Sequence, residues 1–252
     1  VEDSLDHKLQ ATWTKTVYKV EGGVIYFDHT TGLITGADQK ITAAVIPEEI
    51  EGTPVIGIGP KAFSSCQDLA KIVLPDTLKS IAAEAFRGCS SLTEIVIPAS
   101  VTEIGKDACY SLKAIHVDES NPVYASEDGV LMNKGKTILI YCPAEKVSGY
   151  ARYSIPEGVL RIQEQALYDC TEMGSLFIPA SVTSIEEDAL PGCSVEVSAE
   201  NANYSSINGV LFNYDQTKLL YYPRRYTGAY HVPDGVEVIG ASAFKRRRFN
   251  GG

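Results

Sequence analysis

The sequence predicts a solenoid of short parallel strands, mainly β with short helical or 3₁₀ turns. Three observations predict it. One short phrase recurs at six places: an aliphatic residue and Pro, an aliphatic three residues on, Ile three further, Ala four further. A longer pattern recurs at an offset of 80 residues. Four of the six cysteines share one slot of the short phrase. A fixed period means one supersecondary unit stacked on copies of itself, with a core continuous from copy to copy.

The copies begin at Ile46-Pro47, Leu74-Pro75, Ile97-Pro98, Ile155-Pro156, Ile178-Pro179 and Val232-Pro233. In register on the proline, one slot holds Leu78, Val101, Val159, Val182 and Val236. The next holds Ile81, Ile104, Ile162, Ile185 and Ile239, and the next Ala85, Ala108, Ala166, Ala189 and Ala243. After each Ala comes Phe86, Cys109, Leu167, Leu190 or Phe244. The first copy joins late, with Val55, Ile58, Ala62 and Phe63. Pro75 to Pro98, and Pro156 to Pro179, are steps of 23 residues. One coil of that length fits a leucine-rich repeat of roughly 20–29 residues, coiling right-handed. Before each proline, as in Leu92 to Ile97, inward and outward residues alternate as in a strand. Proline ends the strand because it cannot donate a ladder hydrogen bond. The stretch from Ile to Cys then reads as a turn into a short helix or 3₁₀ segment, with Ala where backbones crowd and Phe at the coil centre.

Segments such as Ser91-Leu92-Thr93-Glu94-Ile95-Val96-Ile97-Pro98 and Ala85-Phe86-Arg87-Gly88-Cys89 resemble the BspA-like leucine-rich repeats of bacterial cell-surface and secreted proteins. The resemblance spans residues 30 to 244. It departs where the third copy shortens after Cys109, where the fifth is trimmed near Cys193, and where Arg247 replaces Cys.

The gaps between Pro98 and Pro156, and between Pro179 and Pro233, are too long for one coil. Their contents match at the offset of 80: Asn121 with Asn201, Tyr124 with Tyr204, Gly129-Val130-Leu131 with Gly209-Val210-Leu211, Asn133 with Asn213. Each reads as a β-hairpin insertion, at about 118–154 and 198–231, with Gly129 and Gly209 at φ > 0 bends and tips at Lys134-Gly135 and Tyr214-Asp215. A structureless segment that long is uncommon. The expected layout is a single repeat domain over 1–252. Residues 1–12 fray, 13–45 from Trp13 form an N-terminal hairpin cap, 46–244 hold the repeats, and 245–252 form a polar tail.

Apolar content of 44% and charged content of 21% belong to a globular chain. A net charge of −10 argues against nucleic acid, whose binding needs a basic footprint. The charge is uneven, since residues 221–252 hold six Lys or Arg (Arg224, Arg225, Lys245, Arg246, Arg247 and Arg248) against two acids. No apolar run approaches the roughly 18 residues of a membrane span, so no membrane insertion is expected. The chain starts at Val1 without a signal peptide, as a mature secreted protein or a trimmed one would.

Cys66, Cys89, Cys170 and Cys193 sit four residues after the repeat Ala, in a slot that points into the coil. Cys109 replaces a Phe, and Cys142 matches Tyr222. Adjacent coils would bring Cys66 near Cys89, and Cys170 near Cys193, within disulfide reach. Free buried thiols are the expectation all the same. No C-x-x-C pair exists for zinc, and His7, His29, His116 and His231 lie in no metal or nucleophile motif. The sequence holds no serine elbow, phosphate loop or calcium loop. Neither catalysis nor a cofactor is expected.

Binding is expected on the strand face. The outward column reads Val45, Val73, Val96, His116, Ser154, Phe177, Glu196 and His231, flanked by Lys71, Glu94, Ala114, Arg152 and Ser175. Exposed Val73, Val96 and Phe177 would make partner contacts, or they simply suit strands. A second candidate is the tyrosine-rich basic end: Tyr221, Tyr222, Arg224, Arg225, Tyr226 and Tyr230, or else an edge hairpin guarded by charge. The resemblance implies a monomeric, extracellular or cell-surface adhesion module that binds a protein or glycan on a host or microbial surface. The alternatives are a repeat spacer or targeting arm of a larger secreted enzyme or wall-anchored protein, and a secreted enzyme itself.

Overall fold

The computed structural model describes residues 15–147, 149, 151–167, 169–227 and 229–245. The frayed segment 1–12, Trp13, and most of the tail 245–252, Arg247 included, lie outside the described residues. The chain divides into two compact units, Val1–Asp128 and Gly129–Gly252.

The first unit begins with an antiparallel meander: Lys15–Val20 pairs with Gly23–Asp28, which pairs with Leu33–Ala37. Ile25 and Phe27 point into the core, and Tyr26 between them points out. Leu33–Ala37 then changes role and pairs in parallel with Gly57–Ile58, the first member of a coil ladder. Gly57–Ile58 pairs with Ser80–Ile81, and that with Glu103–Ile104, all parallel. Two shorter parallel ladders join Ala43–Val45 to Lys71–Val73, and Glu94–Ile97 to Ala114–Val117. The expected strand before the proline is therefore real at Pro47, Pro75 and Pro98, and a second strand of two residues ends on the Ile slot.

The third side of each coil is a chain of turns. Helix was expected there as an option, yet the 3₁₀ segment of the described residues, Ala144–Val147, lies in an insertion. The turns bond coil to coil. Phe63 N–H donates to Ala85 O at 2.9 Å, and Phe86 N–H to Ala108 O at 3.0 Å. Alanine is required at the acceptor slot because the backbones approach this closely there. The phenyl rings of Phe63 and Phe86 stack beneath, with centroids 5.4 Å apart. The residue before five of the six repeat alanines is left-handed: Lys61 at φ 58, Glu84 at 57, Asp107 at 55, Gln165 at 60 and Asp188 at 54. Gly105 answers a different demand, since a Cβ there would strike the backbone of Ala82 and Ala83 in the preceding coil.

The second unit repeats this plan. Ile138–Tyr141 pairs in parallel with Arg161–Ile162, and that with Ser184–Ile185. Arg152–Ser154, Ser175–Ile178 and Ser194–Val197 form the other parallel ladder. Where a hairpin insertion was expected, the structure has three strands. Tyr204–Ile207 pairs antiparallel with Val210–Asn213, which pairs antiparallel with Lys218–Tyr221. The last strand pairs in parallel with Val238–Ile239, so the insertion ends inside the coil ladder. Its first turn has Asn208 at φ 49 and Gly209 at φ 80, both left-handed as a type I′ turn requires. Gly129, preceded by Asp128 at φ 53, has φ 79.

A buried asparagine anchors each insertion. In the first unit the Asn121 amide nitrogen donates to Pro98 O at 2.9 Å and Val101 O at 2.8 Å. Its oxygen accepts from Val123 N–H at 2.9 Å and Tyr124 N–H at 2.8 Å. In the second unit Asn201 bonds Pro179 O, Val182 O, Asn203 N–H and Tyr204 N–H in the same way. The phenol oxygens of Tyr124 and Tyr204 accept from Ile104 N–H and Ile185 N–H, each at 3.1 Å. The pairing of residues 80 apart thus marks one polar joint built twice.

Candidate binding faces

In the first unit the outward column forms as expected. Val45 lies beside Val73 across one ladder, and Val96 beside His116 across the other. Alternation buries Ala44, Ile72, Ile95 and Ile115 and leaves their neighbours outside. Val45 is 65% exposed and Val96 59%, so these side chains contribute little to the core. Lys71 sits two residues before Val73 on the same strand and is exposed. Glu94 holds His116, its carboxylate 3.5 Å from Nε2.

The second unit's column differs. Ser154, Phe177 and Glu196 are register partners across three strands. Phe177, expected to be exposed, is partly buried. The Arg152 guanidinium lies over its ring at 4.6 Å and reaches the Glu196 carboxylate at 3.1 Å. The face is thus a flat cation-over-ring array with a charged rim. His231, expected in the column, lies in no strand.

At the tyrosine-rich end, Tyr222 packs against Tyr226, Tyr230 and Phe244, with centroids 5.7, 4.7 and 5.0 Å away. Arg225 turns inward, and its guanidinium donates to Met173 O at 2.7 Å. It ties the segment down rather than standing as a free anchor. Tyr222 and Arg224 line a cavity of about 220 Å³ with Glu186, Glu187, Asp188 and Lys245. Its charges are largely spent on each other, since Lys245 Nζ lies 2.7 Å from Asp188 and 3.7 Å from Glu187.

The sequence reading missed a cluster around His29. Its Nε2 bonds the Thr16 hydroxyl at 2.8 Å and its Nδ1 the Thr53 hydroxyl at 2.9 Å, with the Glu51 carboxylate 3.4 Å from Nε2. The ring joins the N-terminal meander to the loop before the first coil. No spacing could have shown it, because its members lie on three separate turns of chain.

All six cysteines are buried and free. Cys89 Sγ donates to Phe63 O at 3.0 Å and Cys170 Sγ to Cys142 O at 3.4 Å. Burial pushes the Cys66 and Cys193 thiols up to about 11, and Cys89 and Cys109 up to about 12. Cys170 is also raised, first by its contact with Cys142 and then by burial. Thiolates are the reactive form, so these groups act as small apolar filling. Among the described residues no group of three or more His, Cys, Asp or Glu could hold a metal ion. Among them, too, no helix is long and apolar enough to cross a membrane.

Stacked parallel ladders, Ile and Ala slots aligned from coil to coil, and outward columns free of core duty define a leucine-rich-repeat solenoid. The chain belongs to the BspA type leucine rich repeat family, whose profile matches residues 56–150 and 136–250 with six copies. It is similar to a leucine rich cell surface protein from Faecalibacterium prausnitzii, with 33% identity over 63% of this chain and 41% of that one and a TM-score of 0.50. It is also similar to the pneumococcal vaccine antigen PcpA, with 25% identity over 79% of this chain and 47% of that one and a TM-score of 0.55. The match spans less than half the length of either protein. No curated protein matches the chain. The family is one of bacterial surface repeat proteins, and membership implies a binding or repeat module.

Proposed function

We propose that this chain is a non-catalytic recognition module, displayed outside a bacterial cell, that holds a protein or glycan of a host or microbial surface on its strand face. One observation carries the reading: Val45, Val73 and Val96 stand exposed in the outward column of the first unit with Lys71, Glu94 and His116 beside them. A column that is apolar at the centre and charged at its edges matches the anatomy of a contact patch. In the second unit Arg152 over Phe177 offers the aromatic and guanidinium surface that partners and sugars commonly meet. The chain acts as a monomer and uses no cofactor. A second reading, a repeat spacer within a larger secreted protein, is favoured by the match to less than half of the similar chains.

The test is a screen of glycan arrays and surface-protein libraries with the parent chain. Two variants follow, Val73→Glu with Val96→Glu, and Arg152→Glu with Phe177→Ala. Binding should fall more than about tenfold in at least one variant while circular dichroism shows both variants folded. Equal binding by parent and both folded variants would reject the strand face.

A further inference from the structure

Cys142 stands where neighbouring coils carry Phe or Leu. Its N–H donates to Ala166 O at 2.8 Å, as Phe63 N–H does to Ala85 O and Leu167 N–H to Ala189 O. The cysteine four residues after the Ala lies under the carbonyl of that residue one coil back. Cys89 Sγ donates to Phe63 O at 3.0 Å, and Cys170 Sγ to Cys142 O at 3.4 Å. Behind Cys89 the residue is Phe63, and behind Cys193 it is Leu167, so neither finds a sulfur there. Behind Cys170 it is a second cysteine.

The two sulfurs converge on one atom. Cys142 Sγ lies 3.8 Å and Cys170 Sγ 4.0 Å from Pro143 O. Contact with Cys142 is also the first cause of the raised Cys170 thiol. The sequence couples the two in a second way. At the second insertion Tyr222 stands for Cys142, and in the coil that follows Arg247 stands for Cys170. Both cysteines are present at one insertion and both are replaced at the other, which apolar filling of separate slots does not require.

We propose that Cys142 and Cys170 are a redox pair, oxidised by a small external disulfide to a bond that locks the end of the first insertion to the coil after it. A chain displayed outside the cell, as proposed above, meets such oxidants. The Cys142 thiolate attacks one sulfur of the oxidant RSSR, forming a mixed disulfide and releasing RS⁻. The Cys170 thiolate then attacks the Cys142 sulfur, forms the protein disulfide and releases the second RS⁻. The protons of the two cysteines end on two RSH, and two electrons pass from the pair to the oxidant. Cys142 is 0% and Cys170 1% exposed, so the exchange runs while the chain folds or when this coil opens.

The test unfolds the full chain in urea and refolds it by dilution into a mixture of oxidised and reduced glutathione. Two of the six thiols should be lost. Digestion after Lys, Arg and Glu should recover one crosslink, Cys142 to Cys170, and Glu172 separates Cys170 from Cys193 in that digest. The oxidised chain should melt roughly 5 °C or more above the chain refolded in dithiothreitol, since the bond closes a loop of the unfolded chain. Cys142→Ala and Cys170→Ala should each keep all their remaining thiols under the same treatment. Six thiols retained by the parent would overturn the proposal. So would a crosslink at Cys66–Cys89 or Cys170–Cys193, or an oxidised chain that melts no higher. The parent's crosslink decides the matter where a variant does not fold. None of these readouts involves a ligand, so they stand apart from any failure of the binding face.

Discussion

The coils and the insertions between them are held by opposite means. A coil such as 74–92 is fixed by apolar slots that stack on their own kind, with Leu78, Ile81, Ala85, Phe86, Cys89 and Leu92 all buried. An insertion is fixed by one polar side chain, Asn121 or Asn201, which alone meets four main-chain groups. Apolar stacking sums small terms over many residues and survives exchange of like for like. A buried polar joint depends on one group, and losing it leaves several buried partners unmet.

Alkali should attack the coils before the joints. The thiol rule is that the neutral form is protonated, and burial raises the folded values from 9.0 to about 11 for Cys66 and Cys193 and about 12 for Cys89 and Cys109. Above pH 9 the unfolded chain releases protons that the folded chain keeps, so stability is whole below that pH and falls between about 9 and 11–12. Tyr124 and Tyr204, raised chiefly by burial, act in the same direction. The urea midpoint should be level from pH 7 to 8.5 and drop steeply by pH 10.5, and Cys109→Ala should shrink the drop. A midpoint that is flat to pH 10.5 would refute the account.

The joints should break by substitution. Asn201→Ala strips two carbonyls and two N–H groups of their partner and should cost about 3 kcal/mol in denaturant unfolding. Asn201→Asp should cost a similar amount, since a carboxylate cannot donate to Pro179 O and Val182 O. A loss below about 1 kcal/mol in both would mean that the asparagine is not the joint.

Crowding at the alanine slot is a smaller lever. Ala108→Leu overpacks the point where Phe86 N–H meets the coil and should cost about 2 kcal/mol. An unchanged midpoint would show that the turns have room to spare. Smallest is the left-handed slot, where Asp107→Gly relieves the side-chain penalty at φ 55. It should stabilise by about 0.5 kcal/mol, the strain relief being offset by a more flexible unfolded chain.

The coil slots were legible because each one returns after a fixed number of residues with the same chemistry, and stacking demands that repetition. The left-handed slot returns in five of the six copies and was invisible. Lys61, Glu84, Asp107, Gln165 and Asp188 share only a polarity common to any exposed turn, and what sets them apart is a backbone angle. Asn121 and Asn201 could be matched to each other, but not assigned a task, since their partners are main-chain atoms with no sequence signature. Arg152 over Phe177 was hidden for a further reason. The two lie on neighbouring strands, diagonal to one another, and only the register of the ladder brings guanidinium and ring together. His231 was misplaced because the repeat phrase predicts a strand before every proline, and the residues before Pro233 form none.

Because Asn121 and Asn201 draw every bond from the main chain, they ask nothing of the side chains around them. The outward residues of an insertion can change size, charge or shape while the clasp beneath stays shut. A lineage can therefore alter what such a chain touches, one substitution at a time, without first finding a compensating change in the scaffold.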